Sequence, residues 1–147
     1  MNNRQKGYYR DKAILNAIFE RYALDTEQVR CLYFPTKYGR RKAQERLLKL
    51  YKKGKLKREK VNDIYAYYIE KPGMIKHTLA VNWVRIWCEK KAKSWEKVYF
   101  YYEKDYKILR CDGFVAVKNT VTGGYKFYFV ELDRGTNKFD KVEKYNK

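Results

Sequence analysis

The sequence predicts an α+β fold in two parts: three helices and a β-hairpin, then a helix, three strands and a last helix. Three observations predict it. Apolar residues recur at helical spacing between residues 11 and 53. Short β-favouring runs flank the pair Asn62-Asp63, a preferred two-residue hairpin turn. Beyond the breaker pair Pro72-Gly73, one long helical stretch precedes three strand-like runs rich in aromatics. The boundary is expected at that pair, which divides the 147 residues into 1–71 and 72–147, one domain or two small ones sharing a core.

In "DKAILNAIFERY" the residues Ile14, Leu15, Ile18, Phe19 and Tyr22 form one helical face. "DTEQVRCLYF" opens on Asp25 or Thr26, whose side-chain oxygen can accept from the helix's first free N–H groups. It ends before Pro35 and buries Val29, Leu32 and Tyr33. After the loop "PTKYG", the run "RRKAQERLLKLYKKG" carries Ala43, Leu47, Leu50 and Tyr51 along one stripe, with Gly54 as its C-terminal cap. "KLKREKVNDIYAYYIEK" then reads as two strands around the turn. Three helices and a hairpin in this order spell a winged helix-turn-helix, with the helix-turn-helix at 25–53 and the hairpin as the wing.

In the second half, "IKHTLAVNWVRIWCEKKAKSW" presents a wide apolar face (Leu79, Trp83, Val84, Ile86, Trp87) that must pack on a sheet. The strands follow as "KVYFYYEKD", "ILRCDGFVAVK" and "YKFYFVELD", with the turn "TVTGG" joining the last two. The tail "NKFDKVEKYNK" has helical spacing, with Phe139, Val142 and Tyr145 along one side.

Charge placement indicates a partner. Lys and Arg number 35 against 17 Asp and Glu, a net charge of +18. Residues 37–60 hold twelve Lys or Arg against two Glu, a net +10, and residues 1–70 hold eighteen against eight, also +10. The entire excess of the first half therefore sits on the third helix and the wing. Arg41, Lys42, Lys49, Lys52 and Lys53 fall opposite the Leu47 stripe, and Lys55, Lys57 and Arg58 continue onto the hairpin. A solvated helix face is the plainer reading, but such faces mix signs. The pattern points instead to double-stranded DNA, held chiefly through its phosphates. Arg40, Arg41 and Gln44, near the start of the helix, are placed to reach base edges. No apolar run reaches a membrane span, and "MNNRQKGYYR" lacks a signal-peptide apolar region, so a cytoplasmic protein without membrane contact is expected.

The cysteines Cys31, Cys88 and Cys111 form no CxxC, and His77, the single histidine, is expected at a surface or helix end. One histidine excludes zinc deaminase chemistry and the histidine clusters that hold a relaxase metal. Tyr145 as a DNA-attacking nucleophile lacks such a cluster beside it.

Acids end two of the strands. Asp112 stands in "RCDGF", and Glu131 and Asp133, two apart in "VELD", share a strand face. With the helix-strand-strand-strand-helix order, this layout resembles the PD-(D/E)xK nucleases. The resemblance implies Asp112 and Glu131 as Mg²⁺ ligands. Where those enzymes carry a lysine two residues beyond the Glu, this chain has Asp133. The resemblance then leaves Asp133 as a third metal ligand and Lys138 or Lys141 as the substitute cation, with Glu103 and Glu89 able to complete an acidic cluster. Alternatively the acids brace the Arg134-Gly135-Thr136 turn, or are an inherited site that no longer cuts. A full nuclease core adds a further strand, so the sheet is expected to be minimal or completed by a partner.

From about residue 10 onward the chain resembles the replication-relaxation protein family of bacterial plasmids, phages and conjugative elements. The "HTLAVNWVRIW" helix, the Asp112-Gly113 turn and above all "FVELDRGT" carry the likeness. It implies a DNA-binding accessory role in replication or transfer, alongside replication or transfer proteins. Three functions stay open. One is a DNA-binding module whose aromatic second half forms a homodimer or partner surface, with no cofactor. The second is a Mg²⁺-dependent endonuclease, and the third an adaptor for which DNA contact is incidental.

Overall fold

Capping chemistry sets where the first helices begin and end. The computed structural model describes residues 2–102 and 112–132. Asn2 and Gln5 close a reciprocal capping box at the head of α1 (Asn3–Arg21). Asp25 and Gln28 repeat it at the head of α2 (Thr26–Tyr33). The Asp25 carboxylate accepts from Gln28 N–H at 2.8 Å, and Asp25 N–H donates to Gln28 Oε1 at 3.1 Å. Of the two N-cap candidates, Asp25 is the one used. α3 (Gly39–Lys52) ends on Gly54 at φ +74°; Gly54 N–H donates to Tyr51 C=O and Lys55 N–H to Leu50 C=O, both at 3.0 Å. That bond pair is the Schellman closure the glycine allows. β2 (Lys57–Val61) and β3 (Ile64–Tyr68) meet through Asn62 and Asp63 at φ 53° and 66°, the two left-handed residues of a type I′ turn. α4 (Ile75–Lys91), β4 (Glu96–Tyr102), β5 (Gly113–Asn119) and β6 (Tyr125–Val130) follow.

The described residues thus form a mixed α+β chain of four helices and two three-stranded antiparallel sheets. It divides into two compact units, Met1–Asn82 and Trp83–Lys147. The division falls inside α4, beyond the 71/72 boundary read from Pro72-Gly73, because the front of that helix joins the first unit's core. Leu79 packs with Ala23, Ala66 and Tyr68, and its carbonyl accepts from the buried Gln28 Nε2 at 2.7 Å.

The sheet of the first unit has the order β1-β3-β2. β1 (Leu24–Asp25) pairs Leu24 with Tyr67 and Asp25 with Ala66, and two residues are too few to show an alternating pattern in sequence. Ile14, Ile18, Leu24, Val29, Ala43 and Leu47 are fully buried at its centre. Phe19, expected in the α1 stripe, is 70% exposed. The buried arc runs Ile14, Ala17, Ile18, Arg21, and Phe19 lies a further 100° round the helix. After α1, Tyr22 takes φ 71°, a strained value for a bulky residue. The buried Asn82 Nδ2 donates to the carbonyls on both sides of it, Arg21 O at 2.9 Å and Ala23 O at 2.7 Å.

Burial raises the Asp25 carboxyl above its ordinary pKa, opposed by the bond from Gln28 N–H, with the Glu27 charge raising it further. A carboxyl raised in the folded state loses stability as pH climbs from its unfolded toward its folded pKa, because the unfolded chain ionises first. Asp25→Asn keeps the capping oxygen without the charge. Relative to wild type it is therefore expected to be more favourable at pH 7 than at pH 3 in urea unfolding. Asp25→Ala removes the cap as well as the charge and costs about 0.5–2 kcal/mol, less at pH 7 than at pH 3 for the same reason. Equal wild-type and Asn pH profiles would contradict the burial argument.

The second unit's sheet is a meander, β4-β5-β6, with Tyr101 opposite Phe114 and Phe114 opposite Phe129. Its "TVTGG" turn is held by Asn119 Oδ1, which accepts from Val121 and Thr122 N–H at 2.9 and 3.1 Å, with Gly123 at φ +76°. Two α4 expectations are corrected. Trp83 and Trp87 are 40% and 61% exposed, while Leu79, Asn82 and Ile86 are buried. These three follow a 3-4 spacing, and each tryptophan lies one residue, about 100°, off that stripe. His77 is half-buried in the first turn of α4, a helix-end position. Cys31 and Cys88 are free thiols. The expected helix at 137–147, with Cys111 and Tyr145, lies outside the described residues.

Candidate nucleic-acid interface

α3 buries Gly39, Ala43, Leu47 and Leu50, spaced four, four and three apart, and this phase turns its cations outward. Arg40, Arg41, Lys42, Gln44, Lys49, Lys52, Lys53, Lys55 and Lys57 are exposed, and Arg58 is half-buried. Arg40, Gln44 and Leu48, one turn apart on α3, border an open cavity of ≈ 330 Å³. Arg58, Lys60, Tyr65 and Tyr67 of the hairpin border it too. The fold therefore brings Arg40, Gln44 and Arg58 to one groove and leaves Arg41, Lys42, Lys49 and Lys52 on the outer arc of the helix.

Within the groove the cations differ. The Arg58 guanidinium is sandwiched between Tyr51 and Tyr65, 4.1 and 3.9 Å from their ring centroids, and donates to Tyr67 Oη at 3.5 Å. The bond to Tyr67 raises its pKa above the ordinary value, so it is a fixed charge held by aromatic faces. This explains why Tyr51, expected in the buried α3 stripe, is 39% exposed: its ring covers Arg58. Arg40 Nε lies 3.4 Å from Glu27, which also holds Arg30 Nε at 2.9 Å, and Arg41 Nε lies 3.2 Å from Glu45. Lys42, Lys49, Lys52, Lys53, Lys55 and Lys57 have no carboxylate within ion-pair distance among the described residues. Arg46 is used structurally, its Nε donating to Asp11 at 2.9 Å and tying α3 to α1.

Sequence reasoning left out Leu48, Tyr65 and Tyr67 as groove residues, and counted Lys60 only among the twelve cations of residues 37–60. The period-2 spacing of Tyr65 and Tyr67 in "IYAYY" was the available signal, since it puts both rings on one strand face.

The expected acidic cluster lies in the second unit. The β5–β6 register, Gly113 opposite Val130, extends one step, so Asp112 and Glu131 end adjacent strands. Asp112 N–H donates to Val130 O at 2.8 Å, and the Asp112 carboxylate accepts from Leu132 N–H at 2.6 Å. That carboxylate thus closes the end of the ladder. Glu89 is committed to Arg85 one helical turn back, at 3.6 Å. Asp133, Lys138, Lys141 and Glu103 lie outside the described residues. Among the described residues no three His, Cys, Asp or Glu groups gather to hold a metal ion.

A second cavity of ≈ 440 Å³, between the α4 residues Val84, Trp87 and Cys88 and the sheet residues Val115, Val117 and Val130, is mainly apolar. Burial raises the Cys88 thiol above its ordinary pKa, so it is a weak nucleophile at neutral pH. Among the described residues no helix is long and apolar enough to cross a membrane.

The chain matches no protein-family model, no curated protein and no solved structure.

Proposed function

We propose that this chain is a duplex-DNA-binding accessory protein of a plasmid, phage or conjugative element, acting in its replication or transfer. The first unit serves as a winged helix-turn-helix, with α3 in the major groove and the β2–β3 hairpin as a wing along the backbone. The observation that carries this reading is the set of exposed lysines on α3 and the adjoining hairpin, without carboxylate partners among the described residues. Lys42, Lys49, Lys52, Lys53, Lys55 and Lys57 take phosphates. Arg40 and Gln44 reach base edges from the start of the helix, and Arg58 meets the backbone as a charge prepositioned by its tyrosines. The mobile-element setting rests on the likeness of "FVELDRGT" and the α4 segment to replication-relaxation proteins.

The test is a titration of labelled duplex at rising salt. Six neutralised phosphates predict a fall of roughly a thousandfold in affinity between about 50 and 200 mM salt. A flat response would favour the adaptor role, in which DNA contact is incidental.

The adjacency of Asp112 and Glu131 at the ends of β5 and β6 favours a second reading, a metal-dependent nuclease with Asp133 and Lys138 completing its site. Supercoiled plasmid incubated with Mg²⁺ or Mn²⁺ separates the two. The binding reading expects no nicking that depends on Glu131. Nicking by wild type that is lost in Glu131→Ala would transfer the function to the acids.

A further inference from the structure

The sheet of the second unit carries an exposed aromatic face that the duplex-binding reading leaves unused. Strand alternation and pairing put Tyr101, Phe114, Tyr125, Phe127 and Phe129 on one side, in mutual contact. The Phe127 ring lies within 15° of the plane of Phe114 and 5° of that of Tyr125, at centroid separations of 5.6 and 5.8 Å. Phe127 is 58% exposed, Tyr125 49% and Phe129 41%. So many large rings open to solvent on neighbouring strands of one sheet mark a binding surface.

The charge around the rings indicates what binds. Lys97 and Lys118, directly opposite each other in the β4–β5 register, stand at one end of this face. The Lys97 ammonium lies 5.2 Å from the Tyr99 ring and that of Lys118 5.8 Å from the Tyr125 ring. Among the described residues the face bears no carboxylate between them and Phe129; Asp112 and Glu131 end the same strands at the far side. Aligned ring faces bordered by ammonium groups suit a ligand with flat π surfaces and anionic links.

We infer that this face binds single-stranded DNA, stacking unpaired bases on Tyr125, Phe127 and Phe129 while Lys97 and Lys118 hold the phosphates. Stacking needs a free base face, which a duplex does not offer, so the two units take different forms of nucleic acid. The choice of DNA over RNA rests on the duplex-DNA reading of the first unit.

The experiment measures fluorescence anisotropy of a labelled oligothymidylate of about 12 nucleotides and of a labelled duplex, each with the full chain. Tyr125→Ala with Phe127→Ala is expected to weaken oligothymidylate binding by at least about tenfold and to leave duplex affinity within about twofold. Lys49→Glu with Lys52→Glu is expected to show the opposite pattern, so failure of one reading is distinguishable from failure of the other. Phe127→Leu keeps the apolar bulk but lacks the π face, and is expected to lose oligothymidylate affinity with an unchanged melting temperature. Four results would overturn the inference: unchanged oligothymidylate binding in the ring variants, equal loss of both probes, tighter binding of oligouridylate through the same rings, or a dimer-to-monomer change with oligothymidylate binding intact.

Discussion

Replacing Lys49 and Lys52 together with glutamate is expected to abolish duplex binding at physiological salt while the chain stays folded. Both side chains are exposed, and neither has an ion-pair partner among the described residues, so their charge is available to phosphate. Each reversal removes one phosphate contact and adds a repulsion. The pair is expected to lower affinity by at least about a hundredfold and to reduce the salt slope by about two. Both lysines also lie in the last turn of α3, where cations suit the negative end of the helix dipole. Reversal there costs the helix about 0.3–1 kcal/mol per site, which unchanged far-ultraviolet circular dichroism would show to be tolerated. Wild-type affinity in the double variant would remove α3 from the interface and with it the proposed function.

Asn82→Ala is expected to destabilise the protein by about 2–4 kcal/mol. Asn82 is fully buried, and its amide bonds both carbonyls flanking Tyr22, the residue held at φ 71°. Truncation leaves two buried carbonyl oxygens without that donor and frees the turn joining α1 to β1. Urea unfolding measures it. A change below about 0.5 kcal/mol, the size of an ordinary surface substitution, would show the turn to be held by other means. Asn82→Asp is the sharper companion, since it sets an acceptor against two acceptors.

Much of the first unit was legible because its signals are local. The Asp25 cap, the Gly54 closure and the Asn62-Asp63 turn each depend on a few consecutive residues whose side chains or backbone freedom dictate one geometry. What escaped was set by residues far apart in the chain. β1 exists only because β3 supplies its partner, and the tyrosine sandwich around Arg58 needs α3 and the hairpin side by side. Asn82 is an unremarkable polar residue in a helical stretch until the carbonyls of Arg21 and Ala23 arrive beside it. The candidate site divides the same way. That the cations cluster on one segment was plain in the charge count. Which of them are ion-paired, Arg46 with Asp11 in a part-buried bond and the exposed Arg40 with Glu27 at its edge, depended on neighbours the segment does not contain.

By itself, the sequence determined an α+β chain, the four described helices and the strands β2 to β6, and the concentration of positive charge between residues 37 and 60, because periodicity, capping and charge are properties of short segments. Only the tertiary structure decided where the chain divides, and which aromatics are covered. It alone brought Arg40, Gln44 and Arg58 to one groove and left the rings of β6 open to solvent. The reason is physical: burial and ion pairing are set by what packs against a side chain, and that partner lies elsewhere in the sequence.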